Sequence, residues 1–161
     1  MKNKQNIIIL SGGFDPVHKG HIRMFKAAKA FTHMADEAIV VVGLNSDEWL
    51  CRKKGRAFME FEERKEILQS IKYIDQVYSF DDSDETACDL IRKVSQLYVN
   101  DDPANKPNII FGNGGDRTNE TTPEMEYCQE RNVSMMWDVG GGKVQSSSTL
   151  ISDAKFYGNI D

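Results

Sequence analysis

Short apolar, β-branched runs recur along the chain at Asn6–Leu10, Ala38–Gly43, Gln76–Phe80, Asn108–Phe111 and Val133–Val139. Each has strand length, and most are too uniformly apolar to have one wet face. Strands buried on both faces belong to parallel sheets covered by helices. The intervals between them carry helical stripes. Ala87, Leu90, Ile91, Val94 and Leu97 recur at i, i+3, i+4, i+7 and i+10, one face of an amphipathic helix. Phe61, Ile67, Leu68 and Ile71 form a second stripe. Glu60, Glu62 and Glu63 stand near its start, where the helix dipole favours anions. His21 to Phe31 carries Ile22, Phe25 and Ala28 on one side, and a last helix is expected to begin near Ser146–Ser148, good N-cap residues.

Strands alternating with helices predict right-handed βαβ units. The expected fold is α/β: a Rossmann-like, open five-stranded parallel sheet with helices on both faces, in one domain over residues 1–161. In such sheets ligands bind beyond the carboxyl ends of the strands. Function is therefore expected in the loops after Leu10, Gly43, Phe80, Phe111 and Val139.

Composition narrows the classes. At 161 residues the chain is long enough for a real core, and 40% hydrophobic with 28% charged residues is an ordinary globular balance. A net charge of −5 argues against an extended nucleic-acid footprint. No apolar run approaches the ~20 residues of a membrane helix, and the start of the chain has no signal-peptide core. Cys51, Cys88 and Cys128 match neither a zinc pattern nor a disulfide framework and read as reduced, idle or buried thiols. A cytoplasmic protein without membrane or nucleic-acid partners is the expectation.

The first loop concentrates the chemistry. Ser11–His21 reads Ser-Gly-Gly-Phe-Asp-Pro-Val-His-Lys-Gly-His, between a strand and a helix start. Gly12 and Gly13 allow a tight turn and close ligand approach. His18 and His21 share a helix face, and the helix start adds unpaired N–H groups and partial positive charge, an anion site. Imidazoles there can donate hydrogen bonds to phosphate oxygens as charge builds up. A metal site is poorly supported, since the pair has no nearby third ligand. Neither a dinucleotide-binding Gly-x-Gly-x-x-Gly nor a P-loop is present.

Three further loops suit the same ligand class. Arg52, Lys53, Lys54 and Arg56 crowd into five residues of an acidic chain, after the second strand, and ask for a phosphate-bearing partner. Phe111-Gly-Asn-Gly-Gly-Asp-Arg117 follows the fourth strand, with Gly114 for close backbone approach and Asp116 and Arg117 able to read a sugar or base, or to anchor the loop. Gly140-Gly-Gly-Lys-Val-Gln-Ser-Ser-Ser-Thr149 follows the fifth, a glycine run ending in hydroxyls at a helix start.

The Ser11–His21 segment resembles the signature loop of the nucleotidyltransferase superfamily, Gly-x-Phe-Asp-x-x-His-x-Gly-His. Class I aminoacyl-tRNA synthetases share the short His-x-Gly-His, but this chain is too small for one and has no Lys-Met-Ser-Lys-Ser. The stretch Gly43–Val77, with its Asn-Ser-Asp, Lys-Gly, Glu-Glu-Arg and Ile-Lys-Tyr-Ile-Asp-Gln-Val, is similar to the glycerol-3-phosphate cytidylyltransferases and heptose-phosphate adenylyltransferases.

The resemblance implies a nucleotidyltransferase of the cytidylyltransferase kind. His18, His21, Lys53 and Lys54 would be the catalytic residues, and Gly12, Gly13, Phe14, Asp15, Gly114, Asp116, Arg117, Ser147, Ser148 and Thr149 would bind nucleotide. Arg56 and Arg64 would bind the acceptor. Asp15 would orient the loop or a metal-bound water. The family arginine before the Ser-Thr motif is replaced here by glycine, with Lys143 nearby. The partners implied are CTP or ATP and a phosphorylated small-molecule acceptor, with Mg2+ carried on the triphosphate, no protein metal site, and a homodimer. CTP with a polyol- or sugar-phosphate is favoured. ATP with a sugar phosphate or coenzyme precursor is the alternative, and a non-catalytic nucleotide-binding module is the rival of another class.

Overall fold

The computed structural model describes residues 5–31, 37–98, 104, 106–114, 122–137 and 139–141. Five strands run in parallel: β1 (Gln5–Gly12), β2 (Glu37–Leu44), β3 (Gln76–Ser79), β4 (Asn108–Gly112) and β5 (Ser134–Met136). Their spatial order is β3-β2-β1-β4-β5. β1 is central, with Ile7 opposite Ile39 on one side and Ile109 on the other. Ile7 to Leu10 are at most 1% exposed, as a strand buried on both faces must be.

The strands' alternation divides the core in two. Ile8, Leu10, Val40, Val42 and Leu44 face Phe25 and Ala28 of α1 (Lys19–Lys29) and Leu68 of α3 (Phe61–Gln69). Ile7, Ile9 and Val41 face Leu90, Ile91 and Val94 of α4 (Cys88–Leu97) and Cys128 of α5 (Met125–Glu130). Helices therefore cover both faces, and the expected fold class is the one observed.

Two corrections concern the elements. The basic segment after β2 is a helix, α2 (Asp47–Lys54), rather than a loop. Ser46 caps it, its Oγ accepting from Trp49 N–H at 3.0 Å. Asp47 and Glu48 occupy the positive end and Arg52, Lys53 and Lys54 the negative end, the arrangement that complements the helix dipole. The last strand is Ser134–Met136 rather than Val133–Val139. The helix expected near Ser146–Ser148 lies outside the described residues.

From β1 the chain winds outward through β2 and β3, then crosses back to β4 on the other side of β1. The loops after β1 and β4 thus part from each other at the carboxyl edge, which is where an open α/β sheet forms its ligand crevice. Among the described residues, no helix is long and apolar enough to cross a membrane.

Candidate active site

The loop after β1 is held from below. Phe14 adopts φ +48 and is 4% exposed. Its ring meets His21 edge-on at 4.8 Å and Phe25 at 5.3 Å. Expected among the nucleotide contacts, Phe14 is instead an apolar plug that seats the His21 imidazole on the core. A Cβ on Gly13 would lie 2.8 Å from Leu50 Cδ2, so α2 packs directly on this loop's backbone. Gly12 ends β1, and its carbonyl accepts from Asn45 N–H at 3.0 Å.

His18 and His21 stand at the start of α1 as N-cap and third helical residue. Their rings stack, with centroids 3.7 Å apart and planes at 18°. Gly20 N–H donates to His18 Nδ1 at 3.1 Å, and His18 N–H donates to His21 Nδ1 at 3.2 Å. Each Nδ1 is thus an acceptor, so each neutral ring carries its proton on Nε2. The backbone fixes tautomer and orientation together. The first turn of α1 contains no acidic residue, unlike those of α2 and α3. Its positive end therefore has no side-chain carboxylate of its own opposing an anion.

Asp15 and Arg64 turn inward and brace the loops. The Asp15 carboxylate is fully buried and accepts from Phe58 N–H and Met59 N–H, both at 2.6 Å. Lys54 Nζ donates to Asp15 O at 2.9 Å and lies 3.4 Å from its Oδ2. Arg64, expected to touch the acceptor, is 0% exposed. Its guanidinium donates to the carbonyls of Met59, Gly13 and Asn45 and to Asp47 Oδ1, at 2.6–2.9 Å. With its donors aimed at protein oxygens, Arg64 ties the loops after β1 and β2 to α2 and to residues 58–59; we correct its role from ligand contact to bracket.

The basic cluster divides. Arg52 leans away, its Nε 2.6 Å from Glu85 Oε1 and its Nη2 donating to Asp82 O at 3.0 Å. Asp82 itself accepts from Asn45 Nδ2, Ser46 N–H and Ser46 Oγ–H. Lys53 lies over the Trp49 ring, 4.5 Å from its centroid. Lys54 remains half-buried on the loop after β1, and Arg56 is exposed.

The loops after β4 and β5 reach the same edge. Asn113 N–H donates to Met136 O at 2.8 Å, and Val139 N–H to Asn113 O at 3.0 Å. Gly140, at φ +83, is pressed against α1: a Cβ there would lie 2.7 Å from Met24 Cα. Only glycine meets both conditions, and it brings the post-β5 loop to within a turn of His21. Around Gly114 a Cβ would meet nothing within 4 Å. Asp116, Arg117, Ser147, Ser148 and Thr149 lie outside the described residues. Among the described residues, no three His, Cys, Asp or Glu side chains gather as metal ligands.

The three cysteines differ in burial. Cys51 is exposed on α2, and Cys128 is buried in the core. Burial pushes the Cys128 thiol up to about 12, and burial also raises Cys88.

Comparison with known proteins identifies the family and agrees with the fold. A family model described as cytidylyltransferase-like matches residues 9–151. The chain is 32% identical over 155 residues to the bifunctional protein HldE of Helicobacter pylori (strain G27), covering 95% of this chain and 28% of that protein. It is 36% identical over 93 residues to the FAD synthase of Pyrococcus abyssi, covering 57% and 59% respectively. It is 32% identical over 92 residues to the glycerol-3-phosphate cytidylyltransferase of Bacillus subtilis (strain 168), covering 57% and 67%. The chain thus spans less than two thirds of HldE and of the FAD synthase. A lipopolysaccharide core biosynthesis protein from Thermoplasma volcanium shares the fold, with TM-score 0.58 at 18% identity, over 84% of this chain and 96% of that one.

Proposed function

The chain belongs to the cytidylyltransferase-like family of nucleotidyltransferases, and we propose that it transfers a nucleotidyl group, CMP from CTP by preference, onto the phosphate of a small polyol- or sugar-phosphate. The observation that carries this reading is the stacked His18–His21 pair, each Nδ1 held by a backbone N–H. That arrangement commits both Nε2–H groups to donation, which suits the oxygens of a triphosphate.

The acceptor phosphate is already a nucleophilic anion and needs no base. One of its oxygens attacks the α-phosphorus, a new P–O bond forms, the bond to the bridging oxygen breaks, and pyrophosphate leaves with the electron pair. Catalysis then consists of positioning and charge stabilisation. His18 and His21 donate to α- and β-phosphate oxygens. Lys53 and Lys54 hold the phosphates from the α2 side. Lys54 Nζ donates to Asp15 O and lies 3.4 Å from Asp15 Oδ2, which holds the ammonium against the loop after β1. Arg56 meets the acceptor. Gly114, Asp116, Arg117, Ser147, Ser148 and Thr149 serve the nucleotide, a role that rests on the motif match. Gly12, Gly13 and Asp15 shape the phosphate loop. Mg2+ enters as part of the triphosphate, on whose oxygens magnesium is usually held. We place the enzyme in the cytoplasm as a homodimer.

CTP is favoured because the family and the Bacillus subtilis relative are cytidylyltransferases by name. A second reading, ATP with a coenzyme precursor, is favoured by the identity to an FAD synthase. The test is pyrophosphate release from each of the four nucleoside triphosphates against a panel of acceptor phosphates. Turnover with CTP and a polyol- or sugar-phosphate supports the first reading. Turnover confined to ATP with a coenzyme precursor replaces it with the second, and turnover with ATP and a sugar phosphate moves the nucleotide from CTP to ATP with the acceptor class kept. Tight nucleotide binding without release from any pair means a non-catalytic module.

A further inference from the structure

Arg52, Lys53 and Lys54 are not held alike. Arg52 is drawn to Asp82 and Glu85, and Lys54 to Asp15. Lys53 is seated on an aromatic face, its Nζ 4.5 Å from the Trp49 ring centroid. Trp49 is half-buried, and its ring edge rests on the phosphate-facing loop: a Cβ on Gly13 would lie 3.5 Å from Trp49 Cζ3. The spacing is i, i+4 on α2, so helix and indole together define where the ammonium sits. An indole attracts a cation through its quadrupole, so it orients the ammonium.

We infer that Trp49 is a positioning residue: the indole, braced on Gly13, holds the Lys53 ammonium toward the phosphates of the bound nucleotide or acceptor. The assignment rests on the proposed function. It predicts that Trp49 acts through Lys53, which a purely packing role would not require.

The test is a double-mutant cycle on the full chain, with inorganic pyrophosphate as probe and binding read by calorimetry. Trp49→Leu keeps an apolar contact with Gly13 and removes the aromatic face. It is expected to weaken pyrophosphate binding about two- to five-fold, the scale of a partly exposed cation–π contact. Trp49→Phe is expected to fall between wild type and leucine, and it carries the cycle should the leucine variant fail to fold. In a Lys53→Ala background the Trp49 substitutions are expected to change nothing further. Equal losses with and without Lys53 would overturn the assignment while leaving the proposed function standing. A wild-type chain that neither binds pyrophosphate nor releases it in the nucleotide panel would overturn the proposed function, and this assignment with it.

Discussion

Replacing Arg64 with methionine keeps most of the side chain's apolar length and deletes the guanidinium. Four acceptors lose this donor: the carbonyls of Gly13, Asn45 and Met59, and the Asp47 carboxylate, which keeps the Phe61 N–H. A buried acceptor left unsatisfied costs about 1–3 kcal/mol. Asn45 is buried, whereas Gly13 and Met59 are half-buried and can partly rehydrate. The Asp47 side chain is 39% exposed, so its share of the ion pair is screened and is discounted. The total falls at roughly 3–5 kcal/mol, the range for breaking a buried pair. Against a typical stability of about 5–15 kcal/mol this is a large fraction. At roughly 2–4 °C per kcal/mol, Tm should drop by about 6–20 °C. Arg64→Lys should recover little, since one ammonium cannot span four acceptors set around a planar fork. Urea and thermal unfolding measure the effect directly. A loss below about 1 kcal/mol, accompanied by a large rise in acceptor KM, would refute the bracket and return Arg64 to the ligand.

Gly140→Ala combines a strained φ with a clash against the α1 backbone; a loss of about 1–3 kcal/mol is expected in thermal melts, and an unchanged Tm would mean that the post-β5 loop does not pack on α1. Thiol labelling at pH 8 should modify exposed Cys51 readily and spare Cys128, whose thiolate fraction at a pKa of about 12 is on the order of 10⁻⁴. Labelling of Cys128 before unfolding would contradict its burial.

The sheet was legible because Ile7–Leu10 and Val40–Val42 are apolar at consecutive positions, short and rich in β-branched residues, which fits a strand covered on both faces. The His18–His21 pair was legible from its spacing and its place between strand and helix. α2 was not, because Leu50 alone of its residues is buried and no apolar stripe announces it. Its signals were Ser46 before two acids and Gly55 after three bases, cap and dipole cues that a search for periodicity passes over. Arg64 and Phe14 misled for the opposite reason. Each was assigned from the motif match, yet each turns into the protein, and only tertiary contacts show it. Arg64 stands one turn before Leu68 on the buried side of α3, where a charge is rare unless fully bonded. Ile67, read as part of that stripe, is 36% exposed.

His21→Ala is the measurement closest to the centre of the account. The substitution also removes the cap on His18 N–H, at about 1 kcal/mol, too little to unfold a domain of this size. With the fold confirmed, kcat for pyrophosphate release is expected to fall about 10²–10³-fold, the scale for losing one charge-stabilising donor. A folded His21→Ala protein that turns over at close to the wild-type rate would contradict the claim that this histidine pair stabilises nucleotidyl transfer.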